Sequence, residues 1–140
     1  MQLYKADGPC KARDRMKCPF ALSLLATLML TGCATTTITN LTPRQLPRSA
    51  SGFYTFEAAL HSNQQALRKD SVEPRVLIGT ESYPMRPALM LSNRWEALIP
   101  VPPTNSVVYY RYKFDYVVNR FGSPGGGSKL SDQYQLRISE

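Results

Sequence analysis

The sequence is poor in the residue types that carry most enzyme chemistry. Of the 140 residues only His61 is a histidine, and no cysteine follows Cys33. Cys-His catalysis and metal sites built from several His or Cys ligands therefore lack their donors, and a disulfide beyond Cys33 is excluded. A Ser-His-Asp arrangement would have to use His61, and no G-x-S-x-G motif accompanies it. We expect no enzymatic activity, no metal and no cofactor.

No apolar run is long enough for a membrane-spanning helix. The run over residues 20–30 has eleven residues, whereas about 20 are needed to cross the hydrocarbon core of a bilayer. Lys17 precedes this run and Leu30-Thr31-Gly32-Cys33 follows it, which is the order of basic region, apolar region and cleavage site in an export signal. The tetrad resembles the lipobox of bacterial lipoproteins.

This resemblance implies that residues 1–32 are a helical signal peptide and that the Cys33 thiol carries the lipid. Because Met16-Lys17 begins a signal of conventional length, we expect translation to start at Met16. Ala34 stands where an aspartate would resemble the retention signal of inner-membrane lipoproteins. The expected location is therefore the cell envelope, at the outer membrane or cell surface, with the membrane bound through the lipid on Cys33.

Basic residues are neither numerous nor clustered in the predicted mature chain. Seventeen Lys and Arg and ten Asp and Glu give the whole chain a net charge of +7; five of the basic and two of the acidic residues precede Cys33, which leaves +4. The remaining twelve basic residues are scattered and form no stripe, so nucleic acid is not an expected partner.

The segment that follows Cys33 is rich in Thr, Pro, Ser and Arg. Pro43 and Pro47 oppose helix formation, and few large apolar residues are present. We interpret residues 33–52 as the lipidated cysteine and a flexible tether. The alternative is an early edge strand at Ile38-Thr39-Asn40-Leu41.

From Gly52 onward, apolar and polar residues alternate with a period of two, the pattern of strands with one buried face. This predicts an all-β fold, an immunoglobulin-like antiparallel β-sandwich of about six to seven strands over residues 53–140, with a small open barrel as the alternative. The glycine-rich residues 122–128 are predicted to be the mobile loop of a hairpin. Residues 81–87 are predicted to be a strand-switching connection, with an exposed recognition loop as the alternative. The alternating segments are 53–60, 72–78, 95–101, 107–118 and 134–138.

Aromatic residues are the remaining candidates for a binding site. Tyr110, Tyr112, Phe114 and Tyr116 share one face of a strand, which predicts a core face. Residues 94–102, with their tryptophan and prolines, followed by the Tyr-rich residues 109–114, resemble the centre of starch-binding and related early-set immunoglobulin-like modules. That resemblance implies Trp95 and Tyr109 as candidate contacts to a ligand or partner, and the recognition-loop alternative for residues 81–87 adds Tyr83. We expect a non-catalytic interaction or structural module that binds an envelope protein; the alternative is a carbohydrate-binding surface module that binds a glycan.

Overall fold

A computed structural model describes residues 34–140, which form one compact unit, Ala34–Glu140. The predicted signal peptide, the predicted start at Met16 and the predicted lipidation site Cys33 lie outside the described residues. Within them the secondary structure is almost entirely strand, which confirms the all-β prediction. The strands are β1 (Thr36–Asn40), β2 (Gln45–Pro47), β3 (Phe53–Ser62), β4 (Glu73–Ile78), β5 (Glu81–Pro84), β6 (Arg86–Pro87), β7 (Arg94–Pro100), β8 (Val107–Val118), β9 (Gly125–Leu130) and β10 (Tyr134–Ser139).

The strands form two sheets that pack as a sandwich. One sheet has the order β1-β3-β7-β6, and the other has the order β2-β10-β8-β4-β5, with β9 also paired to β8. All pairs are antiparallel except β2 with β10, where Leu46 lies opposite Ile138 in a parallel register. The predicted two-sheet sandwich is confirmed, with more strands than expected because five short strands lack a clear alternating pattern.

The core consists of the inward-facing alternate residues of both sheets. Tyr110, Tyr112 and Phe114 of β8 are fully buried, as predicted, whereas Tyr116 is half-buried. The ring of Tyr110 meets Phe56 of β3 edge-on, with centroids 4.8 Å apart. This contact joins the two sheets, and such edge-to-face pairs add to the stabilisation from burial.

Residues 34–52 are not a tether. β1 pairs with β3 from Thr36 opposite Ser62 to Asn40 opposite Ala58, so the alternative of an early edge strand is correct. Thr42 is buried, with its hydroxyl 2.7 Å from that of Tyr112. The tether prediction was wrong because it counted large apolar side chains, whereas this segment is held by backbone pairing and by polar groups that reach the core.

Most of the glycine-rich segment forms a strand, whereas the sequence predicted that residues 122–128 are a mobile hairpin loop. Residues 125–130 form β9, in which Gly127 lies opposite Tyr116 of β8. A Cβ atom at Gly127 would lie 2.5 Å from a ring carbon of Tyr116. The ring therefore lies over the bare backbone, and an aromatic ring across a glycine is a known way to stabilise a strand pair. The connecting loop is confined to residues 119–124.

Residues 81–87 cross from one sheet to the other. β5 pairs with β4, and directly after the buried Met85, β6 pairs with β7 of the opposite sheet. The predicted strand-switching connection is confirmed. Pro84 and Pro87 suit this path because the strands they occupy lie at sheet edges, where a missing backbone donor is tolerated.

The strand directions place the loops at two opposite ends of the sandwich. At the first, which we call the N-terminal end, the N–H of Asn63 donates to the carbonyl of Thr35 at 3.1 Å, and the N–H of Asn119 donates to that of Ala66 at 2.8 Å. This end comprises Ala34 and the loops 63–72, 88–93 and 119–124.

The opposite end holds the loops 48–52 and 101–106 and the end of β10. The N–H of Val101 donates to the carbonyl of Gly52 at 2.9 Å, and the N–H of Arg48 donates to that of Ser139 at 2.8 Å. Since β8 begins here at Val107 and runs to Val118, it spans the length of the sandwich.

Candidate interaction surface

Trp95 lies in the core. Its ring faces inward from β7 and meets Phe114 edge-on, with centroids 5.3 Å apart. With 9% of its surface exposed, the indole offers too little open surface to stack on a sugar ring. Its contribution is to the packing of the two sheets.

Tyr83 is half-buried at the edge of the second sheet. It lies opposite Val76 and packs against the core. Its hydroxyl donates to the carboxylate of Glu81, and this hydrogen bond, more than desolvation, raises the pKa of Tyr83. The side chain is thus held within its own strand.

Tyr109 is the predicted contact residue that the fold exposes. It points outward from β8, with 56% of its surface accessible. The structure does not bring it together with Trp95, because the two residues belong to different sheets and Trp95 faces the interior.

Polar and basic side chains surround Tyr109. Gln135 of β10 lies directly opposite it, and Arg137 lies opposite Val107. Two residues along β8, the guanidinium of Arg111 donates to the side-chain oxygen of Gln133 at 3.4 Å. Residues at such positions share one face of the sheet, so Tyr109, Arg111, Gln135 and Arg137 form a continuous outer surface.

A groove of about 520 Å³ adjoins this surface, between β10 and the segment that leads into β2. It is lined by Asn40, Arg44, Gln45, Gln133, Tyr134, Gln135 and Arg137. Burial, followed by the charge of Asp132, raises the pKa of Tyr134. We call Tyr109, Arg111, Gln135, Arg137 and Arg44 together the Tyr109 face.

The charge of the Tyr109 face is positive and uncompensated. Among the described residues Arg44, Arg111 and Arg137 form no ion pair. Further along the same sheet, by contrast, Lys113 lies 2.9 Å from the carboxylate of Asp115. Hydrogen bonds from Ser128 and Lys113 hold the pKa of Asp115 below its usual value. Guanidinium groups without an acidic partner suit carboxylates, which they can bind in a bidentate manner.

The outer face of the other sheet is balanced in charge. Arg94 lies 3.3 Å from Glu57, and Arg86 lies 3.2 Å from Glu96. Leu98 is exposed there to 58%, about as much as Tyr109. This face therefore provides a natural comparison for the Tyr109 face.

Sequence reasoning identified Tyr109 but missed Arg44, Gln133 and the groove. Alternation along β8 already places Arg111 on the same side as Tyr109, so that neighbour could have been found. Arg44 could not, because residues 34–52 were predicted to lie outside the domain.

Within residues 34–140 no group of three or more His, Cys, Asp or Glu side chains is arranged to hold a metal ion. In the same part of the chain no helix is long and apolar enough to cross a bilayer.

The sheet orders define an immunoglobulin-like β-sandwich. The order β1-β3-β7-β6 is the ABED order of such domains, and β10-β8-β4-β5 is the GFCC′ order. Antibody domains join strands B and F by a disulfide; here the corresponding β3 and β8 are joined by the contact between Phe56 and Tyr110.

Among solved structures the chain is similar to murine CRIg, with 11% identity and a TM-score of 0.45, over 76% of this chain and 99% of that one. It is also similar to AggA, the major subunit of aggregative adherence fimbriae type I from Escherichia coli, with 10% identity and a TM-score of 0.45, over 79% of this chain and 98% of that one. No protein-family model matches the sequence, and no curated protein matches it.

Proposed function

We propose that this chain is exported, lipidated on Cys33 and held at the bacterial envelope, where its sandwich acts as a non-catalytic protein-interaction or structural module. The partner in this proposal is an envelope protein with an acidic surface, and its docking site is the Tyr109 face.

The observation that carries the anchor is the position of the domain boundary. The compact unit begins at Ala34, and the carbonyl of Thr35 already accepts a hydrogen bond from Asn63. Cleavage before Cys33 would therefore remove residues 1–32 and leave the sandwich whole. The first strand, β1, begins at Thr36, three residues after the Leu30-Thr31-Gly32-Cys33 motif ends.

The composition of the Tyr109 face supports the interaction role. Tyr and Arg are the residue types enriched at the energetic centres of protein interfaces. Three edge strands are poorly suited to strand addition, because β2, β5 and β6 carry Pro47, Pro84 and Pro87. The sheet face is thus a better docking surface than these three edges.

The anchor is tested by mass spectrometry of native material and of a Cys33→Ser variant. We expect the native protein to start at Cys33 and to carry added acyl mass, and the variant to remain unprocessed and without lipid. An intact, unacylated N-terminus in the native material would overturn the anchor.

The Tyr109 face is tested by photo-crosslinking in intact host cells. A benzoylphenylalanine at Gln135 should give a discrete adduct that Tyr109→Ala reduces at least tenfold, since one interface hot spot contributes about 2 kcal/mol or more. The control places the same probe at Leu98, which is about as exposed as Tyr109 and lies on the outer face of the opposite sheet. Identical adducts from both positions, or an adduct insensitive to Tyr109→Ala, would contradict the proposal.

A glycan-binding module would need a row of exposed aromatic rings on one surface, and the described residues form no such row. The most exposed aromatic residues of the described chain, Phe53, Tyr109 and Phe121, lie on β3, on β8 and in the loop 119–124. A polysaccharide pull-down with the processed protein tests this alternative. Retention that is lost in Tyr109→Ala would favour a glycan over a protein partner.

A further inference from the structure

Large apolar side chains project from the loops at the N-terminal end. Leu89 is 91% exposed, and Met90 and Phe121 are fully exposed. We call these three residues the apolar tips. They are the most exposed large apolar side chains among residues 34–140, and they lie in the loops 88–93 and 119–124 at the same end of the sandwich.

The turn that carries two of the apolar tips has an unusual residue for its backbone conformation. The N–H of Leu91 donates to the carbonyl of Ala88 at 3.3 Å, so Leu89 and Met90 occupy the central positions of the turn. Met90 has φ of 66°, a left-handed conformation that favours glycine or asparagine. The chain thus holds a large apolar side chain at the apex of a turn that glycine would relax, and retained strain of this kind points to a function of the side chain.

The charges near the apolar tips are mainly basic. Arg68, Lys69 and Arg120 lie in the loops of the N-terminal end. The one acidic residue of these loops, Asp70, is paired with Arg68 at 3.3 Å. Apolar side chains flanked by basic ones suit the surface of an anionic bilayer, where the former enter the interface and the latter meet the headgroups.

The position of Ala34 indicates what the apolar tips bind. Ala34 lies at the N-terminal end beside Thr35, and Cys33 is the residue that precedes it in the sequence. We propose that the apolar tips insert into the lipid bilayer next to the acyl anchor and fix the sandwich upright on the membrane. This inference rests on the proposed lipidation of Cys33, which would keep the tips at high effective concentration near the bilayer.

An upright orientation has a consequence for the Tyr109 face. Tyr109 lies near the beginning of β8, at the end opposite to the apolar tips. Val118 lies nine positions further along the strand, which is about 30 Å at 3.4 Å per residue. The docking site for a partner is then held away from the headgroups and remains accessible.

Depth measurement on the lipidated full-length product tests the insertion. Single cysteines replace Met90, Phe121 or, as a control in the loop of the opposite end, Thr104, and each is labelled with an environment-sensitive NBD fluorophore. The proteins are reconstituted into vesicles of phosphatidylethanolamine and phosphatidylglycerol in a 3:1 ratio, with or without brominated acyl chains. We expect blue-shifted emission and bromine quenching at positions 90 and 121, and neither at position 104.

The possible results distinguish a failure of the proposed insertion from a failure of the proposed lipid anchor. The unsubstituted processed protein should take up no label, because the thiol of Cys33 is acylated; labelling of Cys33, or loss of the protein from floated vesicles, refutes the anchor. A second outcome is that the protein floats with the vesicles and Cys33 takes up no label, but the probes at 90 and 121 stay as water-exposed as the probe at 104. This outcome refutes only the insertion. Blue-shifted emission at positions 90 and 121 that brominated acyl chains do not quench would indicate a protein contact and would also refute it.

A substitution at the strained turn provides a second, independent test of the insertion. Met90→Gly should fold at least as well as the native protein, because glycine accepts the left-handed conformation. In vesicles it should weaken the quenching of the probe at 121, since one of three inserted side chains is lost. Leu98→Gly, which removes an exposed apolar side chain on a sheet face, is the control and should leave that quenching unchanged.

Discussion

The hydroxyl of Thr42 lies 2.7 Å from the hydroxyl of Tyr112. Tyr112 also donates to the carbonyl of Glu57 at 2.9 Å, and the N–H of Glu57 donates to Thr42 at 2.8 Å. A threonine that precedes the alternating strands thus completes the hydrogen bonding of a fully buried tyrosine. The N-terminal segment is for this reason part of the domain.

Replacing Thr42 tests this dependence. Thr42→Val keeps the shape of the side chain but removes the acceptor of the Glu57 N–H, while Tyr112 keeps the carbonyl of Glu57 as its partner. A buried unsatisfied group costs about 1–3 kcal/mol. Urea unfolding should show a loss of that size in the free energy of unfolding. Thr39→Val, on the exposed face of β1, is the matched control and should change it by less than about 0.5 kcal/mol. Equal effects of the two substitutions would count against the network.

The buried tyrosines make the fold sensitive to alkaline pH. Burial raises the pKa of Tyr110 and, more strongly, that of Tyr112 above the ordinary value. The unfolded chain releases these protons near pH 10, while the folded chain retains them. The free energy of unfolding should therefore be constant with respect to these groups below about pH 10 and should fall as the pH rises above it.

Denaturant titrations between pH 8 and 11.5 measure this slope. Tyr112→Phe lowers stability at pH 8, since it removes the hydroxyl network, but it should also flatten the alkaline decline by up to about 1.4 kcal/mol per pH unit. A slope that does not respond to Tyr112→Phe would assign the alkaline sensitivity to another group.

A substitution at Trp95 tests whether the indole belongs to the core or to a binding surface. Because the indole is buried against Phe114, Trp95→Ala should lower the free energy of unfolding by about 3–5 kcal/mol. Leu98→Ala, at an exposed position of the same strand, should change it by less than about 0.5 kcal/mol. An unchanged melting temperature for Trp95→Ala would place the indole at the surface.

The close approach of Tyr116 to β9 predicts different effects at two neighbouring glycines. Gly127→Ala forces the ring of Tyr116 to move and should destabilise by about 1–3 kcal/mol. Gly126→Ala meets no atom within 4 Å and should be neutral or stabilising by up to about 1 kcal/mol, through the reduced freedom of the unfolded chain. Thermal unfolding of the two variants makes the comparison, and a Gly127→Ala variant as stable as Gly126→Ala would show that β9 is not packed as described.

The sequence foresaw the parts of the fold whose side chains repeat regularly. The period of two found β3, β4, β7, β8 and β10, because each has a buried and an exposed face. It missed β9, since glycine carries no side chain to alternate, and β2, since three residues are too few to show a period.

For the candidate site, alternation along β8 was sufficient to place Tyr109 outward and Tyr110 and Tyr112 inward. It could not show that Trp95 and Tyr109 belong to different sheets, because local alternation states which residues share a face of one strand and not which strands become neighbours. The groove beside Tyr109 depends on the parallel pairing of β2 with β10, residues that are about ninety positions apart in the chain.

The residue sequence alone determined the all-β class, the absence of disulfides after Cys33 and the resemblance of Leu30-Thr31-Gly32-Cys33 to a lipobox, since each is a matter of residue types and spacing. Only the tertiary structure decided that residues 34–52 complete the core, that Arg44 joins Arg137 at one groove, and that Leu89, Met90 and Phe121 project from the end where the chain emerges at Ala34. These relations depend on long-range strand pairing, which local side-chain patterns do not encode.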